Sequence, residues 1–148
     1  MLPSMKRLIV LLLIGLVVTL AACGGAGTSS AATSGGLAGT SWTLAEIDGR
    51  EPAVDPAPTL AFDEDLNVSG SAGCNTFTGT ATVEGSSISF GPLATTMMAC
   101  PGAAGIAETA FLAAMNEVEG FAMDSQGRLV LEDGVVLVFE PAEETPAS

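Results

Sequence analysis

The chain has no histidine and no tyrosine, and no lysine after Lys6. Beyond that point, Ser-His-Asp and Cys-His nucleophile systems, Ser-Lys dyads, lysine Schiff bases and histidine-ligated metal centres are excluded. Cations of any kind are scarce, since Lys6, Arg7, Arg50 and Arg128 stand against 17 carboxylates. So acidic a surface repels phosphate backbones and anionic headgroups, which argues against a nucleic-acid partner. Two carboxylates working as an acid–base pair would need no histidine. With 17 acids in 148 residues, however, some pair falls close in any fold. The short loops between the strands read below leave little room for an extended substrate cleft, so the expectation is a protein that is not an enzyme and uses no cofactor.

What is present begins with a leader-like stretch. Lys6-Arg7 precedes an apolar run from residue 8 to residue 20, which ends in Leu20-Ala21-Ala22-Cys23. A run this short, closed by small residues, reads as a secretory signal rather than a membrane span. Leu-Ala-Ala-Cys is similar to the lipobox of bacterial lipoproteins, in which cleavage precedes a cysteine that becomes acylated. Residues 1–22 are therefore expected to be a lipoprotein signal peptide and Cys23 the lipidated residue. The alternatives are an ordinary signal cut near Ala22 or an uncleaved anchor. Without residues 1–22 the chain keeps two arginines and all 17 carboxylates, a formal side-chain charge of −15. Attachment to a membrane would then rest on acyl chains, at about 0.8 kcal/mol per buried methylene and with more than one chain for stable anchoring. The expected location is the cell envelope, facing the extracytoplasmic side. Gly24 rather than Asp after Cys23 implies an outer-membrane destination if two membranes exist.

Residues 23–36 supply the lipidated cysteine and a tether of Gly, Ala, Ser and Thr without a large apolar side chain. A folded domain is expected over residues 37–141, followed by a short acidic, disordered tail at 142–148. Within the domain, Trp42 and Leu44 alternate in residues 41–45, and Leu60 and Phe62 alternate in 59–62. Further strands are expected at residues 67–72, at 76–83 with a break at Gly79, and at 87–90 and 93–99. At the end come 121–124, 128–132 and an apolar, central strand at 135–140. Turns are marked by Asp48-Gly49, Asp63-Glu64-Asp65, Glu84-Gly85-Ser86, Ser125-Gln126-Gly127 and Asp133-Gly134. The period changes once: Ala107, Ala110, Phe111, Ala114, Met115 and Val118 recur at helical spacing behind Pro101, predicting one amphipathic helix over 103–117. Many short strands and one helix predict a mainly β (α+β) fold, an antiparallel sandwich or barrel.

The motif order is more specific than the pattern. Trp42 and Phe62 precede Gly73-Cys74-Asn75-Thr76-Phe77-Thr78-Gly79. Ile88-Ser89-Phe90 and Thr95-Thr96-Met97-Met98-Ala99-Cys100 follow, and then Glu108, Phe111-Leu112, Leu129-Val130-Leu131 and Leu137-Val138-Phe139. This order resembles the META domain, also called the HslJ-like family, across essentially all of the folded part. The resemblance implies a small antiparallel, partly open β-barrel with one helix, similar in shape to the lipoprotein pilotins of secretion systems. It also implies roles in heat-shock response, antibiotic tolerance, and the envelope or secretion. It implies no catalytic residues. The function expected is a membrane-tethered, non-enzymatic envelope lipoprotein that binds another envelope protein in stress tolerance or secretion. The alternative is a carrier of a small apolar ligand or lipid in a cleft between helix and sheet.

With Cys23 acylated, Cys74 and Cys100 are an even pair in a compartment where disulfides persist. A bridge across 26 positions would contribute roughly 3 kcal/mol in the chain-entropy model. Two buried free thiols are the alternative. Met97, Met98 and Cys100, with Met115 and Met123, have the softness for Cu(I), yet methionine more commonly fills irregular core gaps. No metal is expected. Asp63, Asp65 and Asn67 match the opening of an EF-hand loop, but Val68 and Cys74 stand where Gly and Glu are required, so this is read as a solvated acidic turn. Asn75 is read as a turn residue.

Overall fold

The computed structural model describes residues 36–143. The expected signal peptide at residues 1–22, the expected lipidation site Cys23, nearly all of the expected tether and most of the acidic tail expected at 142–148 lie outside these residues. Nine strands and one helix follow in the order β1 (Ser41–Ile47), β2 (Thr59–Phe62), β3 (Asn67–Ser71), β4 (Thr76–Glu84), β5 (Ser87–Phe90), β6 (Ala94–Thr95), α1 (Ala103–Glu117), β7 (Gly120–Met123), β8 (Leu129–Glu132) and β9 (Leu137–Pro141). Each pairing is antiparallel, and the spatial order β3-β2-β1-β9-β8-β7-β5-β4 closes through a β3–β4 pair. The result is a closed eight-stranded barrel, with β6 added as a ninth strand on β4. The thinnest seam joins β5 to β7 through one register pair, Ser87 with Gly120.

Period-two alternation sends one face of each strand inward. Trp42 and Leu44 of β1, Leu60 and Phe62 of β2, Phe77 and Val83 of β4, Leu129 and Leu131 of β8, and Leu137 and Phe139 of β9 are all buried. From α1, Phe111 enters this interior, its ring 5.9 Å from that of Phe77 and 6.4 Å from that of Phe139. Ala114, Met115 and Val118 extend the same helical face into the core.

The strand expected at 76–83 runs unbroken through Gly79 as β4. A Cβ at Gly79 would lie 2.7 Å from Leu93 Cδ2 and 3.3 Å from the Pro92 carbonyl oxygen, so a larger residue would require the Leu93 side chain to shift. Across the same ladder Gly70 stands opposite Phe77. A Cβ at Gly70 would meet the Thr59 carbonyl oxygen and come within 2.9 Å of the Phe77 ring. Glycine in these strands thus makes room for large partners. The segment 93–99, expected as a strand, is one only at Ala94–Thr95. Val135 and Val136 fall outside β9. The acidic turn is as expected: Asp63 Oδ1 accepts from the Asp65 and Asn67 amides, at 2.9 and 2.8 Å, and Oδ2 from Asn67 Nδ2 at 2.8 Å. The Asn67 side-chain bond leads in holding the Asp63 carboxyl below its ordinary range.

Candidate functional site

Between β3 and β4 the chain turns through Ala72-Gly73-Cys74-Asn75, closed by the Ala72 amide donating to the Asn75 carbonyl at 2.8 Å. Gly73 has φ 105°, which favours glycine, and a Cβ there would sit a tight 3.0 Å from two methyls of Val54. Cys74 is bonded to Cys100, with S–S 2.00 Å and Cα–Cα 6.1 Å, so the two thiols are joined rather than free.

Asn75 is more than a turn residue. It is 4% exposed, and its side chain is the hub of a polar network. Its Oδ1 accepts from the Met98 amide at 2.7 Å and from Thr96 Oγ1 at 2.9 Å. Its Nδ2 donates to the Met98 carbonyl at 3.2 Å and to Glu108 Oε1 at 2.8 Å, and lies 3.1 Å from Cys100 Sγ. The Asn75 backbone amide donates to the other oxygen of Glu108. Thr96 adds a backbone bond to Thr76, at 3.0 Å, and accepts at Oγ1 from the Thr76 amide at 3.1 Å. Among the described residues, no buried side-chain nitrogen or oxygen lacks a partner. A fully satisfied network of this kind fixes one geometry, since each bond supports the next in a site partly shielded from water.

The network and the disulfide tie Thr96, Met98 and Cys100 from within, while the Met97 and Met98 side chains point outward. Met97 is 96% exposed and Met98 60%, which corrects their reading as core fillers. Met123 is also exposed, and of the methionines considered for a soft site only Met115 is buried. Ile106, on the adjoining turn of α1, is 74% exposed. Met98, Ile106 and Glu108 line one shallow recess with Cys100 and Gly105. Across α1, a second and more apolar cleft of 370 Å³ lies between the helix residues Ala103, Ile106, Ala107 and Ala110 and the residues Ile47, Arg50, Pro52 and Ala53.

Sequence reasoning missed the part played by Glu108. The available signal was that Glu108 is the one charged residue between Cys100 and Glu117, one position from the apolar stripe of α1. Its partner Asn75 is 33 positions away, beyond the reach of any local pattern. The remaining perturbed groups lie elsewhere. Arg128 bonds Asp124 at 2.7 Å and Glu46 at 3.3 Å. The Arg128 amide, followed by its guanidinium, holds the Asp124 carboxyl below its usual range, and Asp124 in turn raises Arg128. These ties join the β7–β8 turn to β1 and serve as a structural brace.

The META domain family model matches residues 35–144. The chain belongs to the META domain family. Among solved structures, an NMR structure of a protein from Burkholderia xenovorans is similar at 30% identity and TM-score 0.60, covering 72% of this chain and 84% of that one. A crystal structure of a DUF4847 family protein from Bacteroides vulgatus is similar at 17% identity and TM-score 0.51, covering 70% and 92%, and supports the fold alone. No curated protein matches the chain. Within this META domain, then, the Gly-Cys-Asn turn is the place where barrel, exposed loop and helix are joined.

Proposed function

We propose that this META-domain chain is a membrane-tethered, extracytoplasmic lipoprotein that works without catalysis, docking another envelope protein through the loop at Met97 and Met98. One observation carries this reading: two solvent-facing methionines stand on a loop held by a disulfide and by three side-chain bonds from a buried asparagine. Apolar side chains displayed on a rigid loop lose little conformational freedom on binding, which is how preorganisation raises affinity. Methionine adapts its shape to a partner surface. Ile106 beside the loop enlarges the apolar contact, and 17 carboxylates against few cations favour a partner with basic residues at the rim.

The test is in-cell photocrosslinking of the full-length chain with a photoreactive residue at position 97 or, as control, at the exposed turn residue Asp65. One defined protein adduct from position 97 and none from 65 supports the reading. Equal labelling at both positions, or none at 97, contradicts it. The apolar cleft beside α1 favours a second reading, a carrier of a small apolar ligand, because its 370 Å³ falls within the usual range for ligand pockets. A lipid or other small molecule extracted from the purified protein, displaced by Ala107→Trp, would favour the carrier.

A further inference from the structure

We propose that, when the Cys74–Cys100 bond is reduced, the two thiolates and the Glu108 carboxylate bind one thiophilic divalent cation of the zinc class. The donor atoms are already gathered: both sulfurs and a Glu108 oxygen lie within 4.8 Å of one another. The Glu108 oxygens are 3.9 and 4.0 Å from Cys100 Sγ. A tetrahedral zinc ion, with sulfur at about 2.3 Å and oxygen at about 2.1 Å, spaces its donors by roughly 3.5 Å. Conversion from disulfide to metal site therefore needs the sulfurs to part while the carboxylate stays near its place.

The surroundings fit a ligand set held by outer hydrogen bonds. Asn75 donates to both Glu108 oxygens, from Nδ2 and from its backbone amide, which fixes the carboxylate's direction and leaves lone pairs available. Cys74, Cys100 and Glu108 are all half-buried, and the recess formed by Met98, Gly102, Gly105 and Thr109 opens on Cys100 and Glu108. That opening admits the ion and leaves a fourth position for water, the pattern of an open site with three protein ligands. Two thiolates select a borderline-soft ion over magnesium or calcium. The acidic field of the chain raises the local concentration of any cation.

The chemistry balances with a dithiol as reductant. Its two electrons and two protons convert the disulfide into two thiols, and it departs as its own cyclic disulfide. The divalent cation then displaces the two thiol protons to solvent and forms two metal–sulfur bonds and one metal–oxygen bond.

The test uses the full chain carrying Cys23→Ser, so that no third thiol competes, in detergent and with cadmium as probe. After reduction and anaerobic removal of the dithiol, cadmium is expected to give a sulfur-to-metal charge-transfer absorption that saturates at one equivalent. The oxidised chain should give none. Glu108→Gln should weaken binding by at least about 10-fold in the folded chain, since loss of a ligand costs no less than loss of a partner that orients one, and leave it unchanged in urea, where only the thiols bind. Circular dichroism reports whether the reduced chain is folded. No absorption, equal affinity in Glu108→Gln and the parent, or a reduced chain that stays unfolded with cadmium present would each overturn the proposal.

Discussion

Truncating Asn75 removes the hub and leaves its surroundings in place. Asn75→Ala deletes four side-chain hydrogen bonds: two to Met98, one to Thr96 and one to Glu108. The three neutral bonds contribute about 0.5–1.5 kcal/mol each and the charge-assisted bond about 1.5–3 kcal/mol. Met98 and Thr96 are exposed and regain water, whereas Glu108 is half-buried and keeps only the backbone bond. The expected loss is about 3 kcal/mol, a large part of the 5–15 kcal/mol that holds a domain together. Trp42, the one tryptophan and 6% exposed, reports urea unfolding directly. With m near 1–3 kcal/mol per molar, the midpoint should fall by roughly 1–3 M with m unchanged. Asn75→Asp keeps the shape but sets a second carboxylate at the 2.8 Å contact with Glu108. Its folded state therefore binds protons more readily than its unfolded state, so its stability relative to the parent should recover as pH falls from 7 toward 4. A loss under about 1 kcal/mol for Asn75→Ala, or a pH-independent deficit for Asn75→Asp, would show that Asn75 is not the hub of the network.

Three further outcomes are expected. Replacing both Cys74 and Cys100 by serine should cost about 3.5 kcal/mol by the loop-entropy relation for a separation of 26 residues, measured by the same urea titration. Gly105→Ala should destabilise by about 1–3 kcal/mol even though alanine is the better helix former, because its Cβ would collide with the Cys100 carbonyl oxygen; a gain in melting temperature would contradict this. The Asp124 carboxyl, held below 3.8 by Arg128, contributes stability that is present above that value and lost as pH falls through its folded pKa. Parent and Asp124→Asn should therefore differ at pH 7 and converge below pH 4, and a constant difference across that range would count against the brace.

Local chemistry made the elements legible. The helix spans the predicted 103–117, and β2 and β5 have their predicted limits, because alternation, helical spacing and turn residues act over a few positions. The motif order disclosed the family, which the match over residues 35–144 establishes. What escaped depends on contacts between distant segments. Residues 93–99 have strand composition, but β4 pairs only Ala94 and Thr95, and Asn75 then draws the following backbone off the sheet toward itself. The same capture turns Met97 and Met98 outward, where their hydropathy suggested the core. Gly79 seemed a break because its fit against Leu93 and Val68 exists only in the folded barrel. Asn75 and Glu108 gave no local sign of meeting, since burial of an asparagine beside a carboxylate is a tertiary fact.

The proposed docking role requires the Met97–Met98 loop to be rigid although its two methionine side chains face water. Amide hydrogen exchange at Met98 tests it most directly, because that N–H donates to buried Asn75 Oδ1. Protection at Met98 comparable to that of the strand amides of β4, and lost in Asn75→Ala, is the predicted result. Exchange at the rate of an open loop in the parent protein would contradict the account.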